Sequence, residues 1–267
     1  MKYAADFRTI ARGSLRGKWH VSALTAFMAS LIGAIGGSSS LNTESSSLNS
    51  DSIASDWNLN EYFSPDVLNF FRIVLAVLLA YAGIHIIVSL IIGGAGKLGY
   101  AGYNLNLTDG REARFTNLFS QFHRLGEGFV MNLLLNVYIF LWAFLFVIPG
   151  IVKTFSYAMT PYILYEHPEY SPNYAITLSR KMMDGNKFRL FCLKFSFIGW
   201  SILSSVPSLI ASAAALTGSF VYLPLILVTI VAEQFVVAYI HAAEAAFYRE
   251  VSGTEPQAEI FYAEIEP

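Results

Sequence analysis

The stretch FVMNLLLNVYIFLWAFLFVIPGIVKTFSYAMTPYILY, residues 129–165, decides how this chain is laid out. It is apolar enough for lipid but too long for one crossing, since about 20 helical residues cover a hydrocarbon core of about 30 Å. Pro149-Gly150 interrupts it. Proline cannot continue the helical hydrogen bonding, and glycine permits a tight turn. The stretch is therefore either one kinked span or a hairpin of two, 129–149 and 150–165.

Charge placement decides between these, because lysine and arginine in short loops mark the cytoplasmic side. The arm 1–18 carries Lys2, Arg8, Arg12, Arg16 and Lys18, and the loop 97–128 carries Lys97, Arg111, Arg114 and Arg124. The segment 166–189 carries Arg180, Lys181, Lys187 and Arg189. The loop 38–66 has no lysine or arginine but holds Glu44, Asp51, Asp56, Glu61 and Asp66. Only a double crossing by 129–165 puts all the basic segments on one side. Arg72 and Lys153 then fall near the outer surface, and Lys194 snorkels inward.

The expectation is an all-α, polytopic membrane helical bundle of one domain, 1–249, with spans at about 19–37, 67–96, 129–149, 150–165, 188–216 and 219–248. Both termini are cytoplasmic, loop 38–66 is outside, and 250–267 forms an acidic cytoplasmic tail. The weak point is 150–165, about 24 Å long if helical, which must be tucked among neighbours or partly re-entrant. Trp57, Tyr62 and Phe63 of the outer loop are placed to rest in the interface.

Composition agrees. The 267 residues are 55% hydrophobic and 13% charged, where a soluble domain is about 25% charged. Mean hydropathy is +0.50. A net charge of −2 gives no basic field for nucleic acid. The lone Cys192 excludes an internal disulfide and any multi-cysteine metal site. The basic arm before Trp19, with no clear cleavage site after the apolar run, makes the first run a retained span.

Each pair of spans is preceded by a basic amphipathic segment, a glycine and an aromatic residue: Gly17 and Trp19, Gly126 and Phe129, Gly185 and Phe188. The six spans thus read as three hairpins, each led by an interfacial helix on the cytoplasmic leaflet. Ser171-Pro172 starts the third such helix and Gly185 stops it. The three units would be parallel repeats about an axis normal to the membrane.

Few residues suggest chemistry. GAGKLG, with Gly94, Gly96 and Gly99, has the dinucleotide-site spacing but closes a membrane span rather than a β-strand, so it reads as a small-residue helix end and turn. Ionisable residues inside spans are costly and therefore candidates for function. They are Glu233, His85, His241 and Glu244, a candidate intramembrane polar site. Glu233, His241 and Glu244 share one helix face by spacing. His241 and Glu244 fall near the cytoplasmic interface and read as solvated. A metal held by them would need His85 as third ligand. Ala29, Gly33 and Gly37, and the serines at 201, 205, 208 and 212, form small-residue faces suited to helix contact. Arg8, Arg12, Arg16, Lys18, Arg180 and Lys181 are candidate contacts to anionic lipid headgroups. The sequence contains no zincin, nucleophile-elbow, paired-cysteine or P-loop motif, so no enzyme is indicated and no cofactor is expected.

From Pro149 to Leu203 the sequence resembles the bacterial membrane family known as domain of unknown function 975. The residues that carry this are Pro149-Gly150-Ile151, Tyr157-Ala158-Met159, Pro161-Tyr162, Ser179, Met183, Gly185, Lys187, Phe191 and SFIGW at 196–200. The stretch from Ala11-Arg12 to Trp19 and the closing Ala246-Phe247-Tyr248 fit as well. The resemblance implies a multi-span protein of the bacterial plasma membrane, distantly similar to the membrane domain of some glycerophosphodiester phosphodiesterases. It brings no catalytic residues and no substrate.

Two functions follow as expectations, ahead of a third, an intramembrane enzyme with Glu233, His241 and Glu244 as acid, base or metal ligands. The first is a non-enzymatic accessory or scaffold protein that binds lipid or a membrane-protein partner through its basic helices. The arm 1–18 is net +4, and each basic residue near an anionic leaflet contributes about 1 kcal/mol. The alternative is a small transporter or channel, lipid-handling among the options, with Glu233 as a proton or cation site.

Overall fold

A computed structural model of the chain describes residues 2–34, 65–216, 220 and 222–253. The outer loop and the acidic tail, apart from Pro65-Asp66 and residues 250–253, lie outside these. The described residues are helical, with no strand among them.

Helix α1 (Ala4–Leu15) is followed by α2 (Trp19–Leu31), α3 (Pro65–Thr108) and two short 3-10 turns, Phe115–Phe119 and Phe122–Arg124. Then come α4 (Leu125–Leu145), α5 (Val147–Tyr157), α6 (Thr160–Glu166), α7 (Pro172–Met182), α8 (Lys187–Phe195), α9 (Ile198–Leu216) and α10 (Tyr222–Ser252). Among the described residues, four stretches are long and apolar enough to cross a membrane: Arg72–Thr108, Phe115–Leu145, Lys187–Ala214 and Tyr222–Ser252.

The hairpin in the deciding stretch is present, but its turn is not at Pro149-Gly150. Phe146 leaves the helical region, with φ −155° and ψ 137°, and caps α5. Pro149 therefore sits in the first turn of α5, where its missing N–H has no intrahelical partner to lose. Gly150 lets the arms close: a methyl group there would meet Ala143 Cα at 2.8 Å. Across the hairpin Lys153 Nζ lies 4.5 Å from the Trp142 ring centre, and Tyr138 packs on Tyr157. The return arm is not one helix over 150–165. It breaks after Tyr157 into α5 and α6, with Pro161 in the first turn of α6.

The helix start and stop expected of the third basic segment are present. Pro172 opens α7, the Ser171 hydroxyl accepts the Tyr174 N–H at 3.3 Å, and Gly185 turns the chain at φ +77°. Gly17, at φ +76°, does the same between α1 and α2. The middle unit differs. Gly126 lies inside the first turn of α4, and the chain arrives there through the 3-10 turns instead.

Glycines explain how α3 is held. The helix does not end at Gly94–Gly99 but runs on to Thr108. Its glycines are places of close approach. A methyl group at Gly94 would overlap the Gly128 carbonyl of α4, and one at Gly93 would lie 2.6 Å from the Gly33 carbonyl oxygen after α2. Gly99 abuts the Leu118 carbonyl, and Gly102 the Tyr165 ring. Ala29 and Gly33 serve as the small face expected of them, with Ala29 fully buried and Gly33 against Ser89. Gly37 lies outside the described residues. The serines of α9 instead bond carbonyls of their own helix, as Ser205 does with Ile202 at 2.8 Å.

Burial is uneven along the helices. The core gathers the C-terminal part of α3, the C-terminal half of α10, α1, α6 and the inner faces of α7 and α8. Beyond it the helices are apolar and exposed, from Ile73 to Ile91 in α3 and from Phe140 to Val152 around the hairpin tip, where Ile148 is 75% exposed. Those ends are dressed for lipid.

Close backbone contact makes a clear prediction. Gly94→Ala should destabilise the protein by about 3 kcal/mol, since backbone and not a side chain must move. Gly126→Ala, which meets open space, should not lower the unfolding temperature in detergent.

Candidate functional site

Charged side chains that the sequence scatters are drawn together at the packed end. Glu244 of α10 is 7% exposed. One of its oxygens lies 2.7 Å from Lys194 Nζ of α8, the other 3.0 Å from His241 Nδ1 one turn away. The edge of the Tyr100–His241 ring pair, 5.1 Å between centres, ties the cluster to α3. Glu244 is thus buried and not solvated, because α3, α6 and α8 pack over this part of α10.

A second cluster lies one turn further on. Arg249 is 5% exposed. Its Nε and Nη2 donate to the two oxygens of Asp109, just past α3, at 2.8 and 2.6 Å. Its Nη1 donates to Glu166 at the end of α6, whose other oxygen accepts the Tyr248 hydroxyl at 2.6 Å. Arg111 stands 3.7 Å from Asp109 at the rim and balances the second carboxylate. Beside it a cleft of about 380 Å³ is lined by Asn106, Gln121 and Tyr165 with Arg111, Glu166 and Arg249. Nearby, Arg189 of α8 holds Glu250 at 2.6 Å and the Lys2 carbonyl at 2.9 Å. These pairs close the core with helix termini.

Of the candidate intramembrane residues, the structure brings His241 and Glu244 together and leaves the others apart. Glu233 is half-buried on α10, eight residues away, and forms no ion pair among the described residues. His85 is exposed on α3 beside Tyr81. It lies fifteen residues from Tyr100, about 22 Å along the helix, so His85, His241 and Glu244 cannot share a metal.

Of the basic candidates, Arg12, Arg16, Arg180 and Lys181 are exposed, while Arg8 and Lys18 are half-buried. α1 buries Phe7, Ala11, Ser14 and Leu15 against the core and leaves Arg12 and Arg16 outward. Phe7 meets Phe247 edge-on at 5.2 Å, and the Tyr239 hydroxyl donates to the Arg8 carbonyl at 2.9 Å. Lys18 reaches the Arg111 carbonyl at 3.4 Å. α7 buries Ala175, Ile176 and Ser179 and leaves Arg180 and Lys181 outward. The Ser179 hydroxyl bridges α5 and α6, donating to the Ser156 carbonyl at 2.9 Å and accepting the Met159 N–H at 3.2 Å. Lys153 joins Arg180 in lining one groove. The two therefore share one side of the molecule, where the six-span reading sets them on opposite sides: the turn at Phe146 brings Lys153 back toward α7.

Asp109, Glu166 and Arg249 were not singled out from sequence. Arg249 read as a residue after the last span and Asp109 as part of a loop, and the two are 140 residues apart. The available signal was weak: Arg249 follows Ala246-Phe247-Tyr248 on a helix without a break.

The molecule thus defines a class: a helical protein with stretches long and apolar enough to span a membrane and a polar, ion-paired packed end. Residues 145–255 match the model of the family described as a protein of unknown function, DUF975. That covers α5 to α10, with Glu166, Lys194, Glu244 and Arg249, but not Asp109. No curated protein and no solved structure matches the chain. The further likeness to phosphodiesterase membrane domains is not carried by these matches, and no activity is taken from it.

Arg249→Leu should destabilise the protein by about 3–5 kcal/mol, because buried Asp109 loses its two close hydrogen bonds and keeps the more distant Arg111 at the rim. Exposed Arg12→Gln should stay within about 0.5 kcal/mol. Thermal unfolding in one detergent checks both. A small loss in Arg249→Leu would show that water reaches Asp109.

Proposed function

We propose that this protein is a non-enzymatic accessory component of the bacterial plasma membrane, multi-pass, with both termini cytoplasmic. It engages anionic lipid, or a membrane-protein partner, through its basic helices. The observation that carries this reading is the mounting of α1 and α7. Their apolar faces are spent on the protein core, so Arg12, Arg16, Arg180 and Lys181 point away from it on rigid supports. Such helices do not insert; they present charge to a leaflet or a partner. The buried ion pairs of Glu244 and Arg249 support the same reading, since they fasten helices together.

The topology we propose keeps every basic segment inside, with the six-pass order modified at α4–α5. Tyr138, Trp142, Lys153 and Tyr157 line a polar groove with Asn173 and Arg180. Only four residues separate Trp142 from Phe146, and eight separate Tyr138 from it, about 6 and 12 Å of helix. If the groove stays at the inner surface, the apolar tip reaches less than halfway through a core of about 30 Å. The hairpin is then re-entrant from the cytoplasmic side.

Two measurements test this. In a Cys192→Ser background, a cysteine at Ile148 should resist a membrane-impermeant maleimide added outside intact cells. Labelling there would establish a full crossing. In vesicles of phosphatidylglycerol and phosphatidylcholine, the immobilised fraction of spin-labelled phosphatidylglycerol should exceed that of phosphatidylcholine. It should fall toward parity when Arg8, Arg12 and Arg16 become Gln. Unchanged selectivity, with no protein co-purifying through these residues, would overturn the role given to α1.

A further inference from the structure

The groove between the α4–α5 hairpin and α7 differs from every other charged region described above. It has a volume of about 280 Å³ and is lined by Tyr138, Trp142, Lys153, Tyr157, Asn173 and Arg180, with no acidic residue in its wall. Elsewhere at the packed end cations stand against carboxylates: Arg249 against Asp109 and Glu166, Lys194 against Glu244, Arg189 against Glu250, Arg124 against Glu127. Lys153 and Arg180 have no ion-pair partner among the described residues. Two uncompensated cations facing one cavity repel, and an anion between them removes that cost.

The walls are set for such an anion. Lys153 is held over the Trp142 ring at 4.5 Å, which fixes its flexible stem without neutralising it. The Tyr138 hydroxyl donates to Asn173 Oδ1 at 3.3 Å, leaving the Asn173 amide hydrogens as donors. Arg180 supplies the planar fork that matches phosphate oxygens. The helices that supply Tyr138, Trp142 and Lys153 also carry exposed apolar residues close by in sequence, Leu141, Phe144, Ile148 and Ile151. The cavity suits a headgroup and is too small to enclose acyl chains as well.

We propose that this groove is a discrete binding site for the phosphate headgroup of an anionic phospholipid, with its acyl chains lying along the α4–α5 tip. The apolar surface beside the cations is what selects a lipid over a free phosphate ester. The proposal rests on the orientation given above, in which the groove sits at headgroup depth, but its residues differ from those of α1. The general basic belt acts by charge density, whereas the groove acts by a fixed pair of cations and donors.

The test is native mass spectrometry of the full chain released from nanodiscs of phosphatidylglycerol and phosphatidylcholine. Wild type should retain one phosphatidylglycerol more tightly than the rest. The double variant K153Q/R180Q should lose that adduct about tenfold, while R12Q/R16Q keeps it. Thr177→Glu, which places a carboxylate in the groove and removes neither cation, should give the same loss, and K153R/R180K should retain binding. Glycerol 3-phosphate and inorganic phosphate in excess should not displace the lipid. Retention of the adduct by both K153Q/R180Q and Thr177→Glu would overturn the site. Equal loss in R12Q/R16Q would reduce it to the diffuse basic belt, and displacement by free phosphate would replace the lipid with a soluble anion. Failure of the topology labelling with this pattern intact would move the groove within the membrane and leave the site standing.

Discussion

The Arg249 guanidinium holds two carboxylates that come from far apart in the chain, Asp109 and Glu166. Much of the architecture depends on that pairing. Arg249 and Asp109, withdrawn from water, incur a desolvation penalty of several kcal/mol each, offset only when geometry and hydrogen bonds are complete. Here Asp109 is gripped on both oxygens, Glu166 is shared between Arg249 and Tyr248, and Arg111 supplies the remaining positive charge at the rim. The penalty for a wrong arrangement is therefore large, which fixes the termini of α3, α6 and α10 relative to one another. The Lys194–Glu244–His241 cluster repeats the logic one layer away and adds α8.

With those ends fixed, α3 becomes the mast around which the others stand. It is 44 residues long, about 66 Å, far more than a bilayer core needs. Its two parts do different work. From Gly93 onward it presents glycines to α2, α4, the 3-10 turns and α6 at backbone contact. Before that it is exposed and apolar. Small residues let helices approach closely where no hydrophobic driving force separates lipid from protein, and Lys97 crosses the same interface to Asn132 at 2.7 Å. The GAGKLG string is thus a packing device, and its resemblance to a nucleotide loop is an accident of glycine spacing.

How far the sequence reaches follows from what each kind of signal encodes. Hydropathy and charge asymmetry act locally, so the helical class, the hairpin in 129–165 and the Gly17 and Gly185 stops were legible. Turn chemistry was less so. Pro-Gly was read as the turn itself, but proline is as well suited to the first turn of a new helix, and the chain bends three residues earlier at Phe146. Pairings between distant helix ends were not legible, because nothing at Asp109 announces Arg249. Depth was misjudged where it depended on packing. Glu244 stands near the end of an apolar run and looked solvated, yet its neighbours cover it. Lys153 looked remote from Arg180 until the return arm was seen to fold back toward α7.

The uneven burial has a physical reason that joins these points. In water, the exposed outer halves of α3, α9 and the α4–α5 hairpin would collapse together; in lipid they have no such drive, since acyl chains are as apolar as leucine. A bundle of this kind need not pack tightly along its whole length. It needs fixed contacts at one level, and the lipid fills the remainder. Polar and ionic contacts are the ones that a membrane boundary makes specific, because a mispaired charge there finds less water. Concentrating them at one end leaves the hairpin tip and the outer helical halves largely exposed among the described residues. In a membrane, lipid would cover that side, and the groove that holds Lys153 and Arg180 lies where the hairpin meets α7.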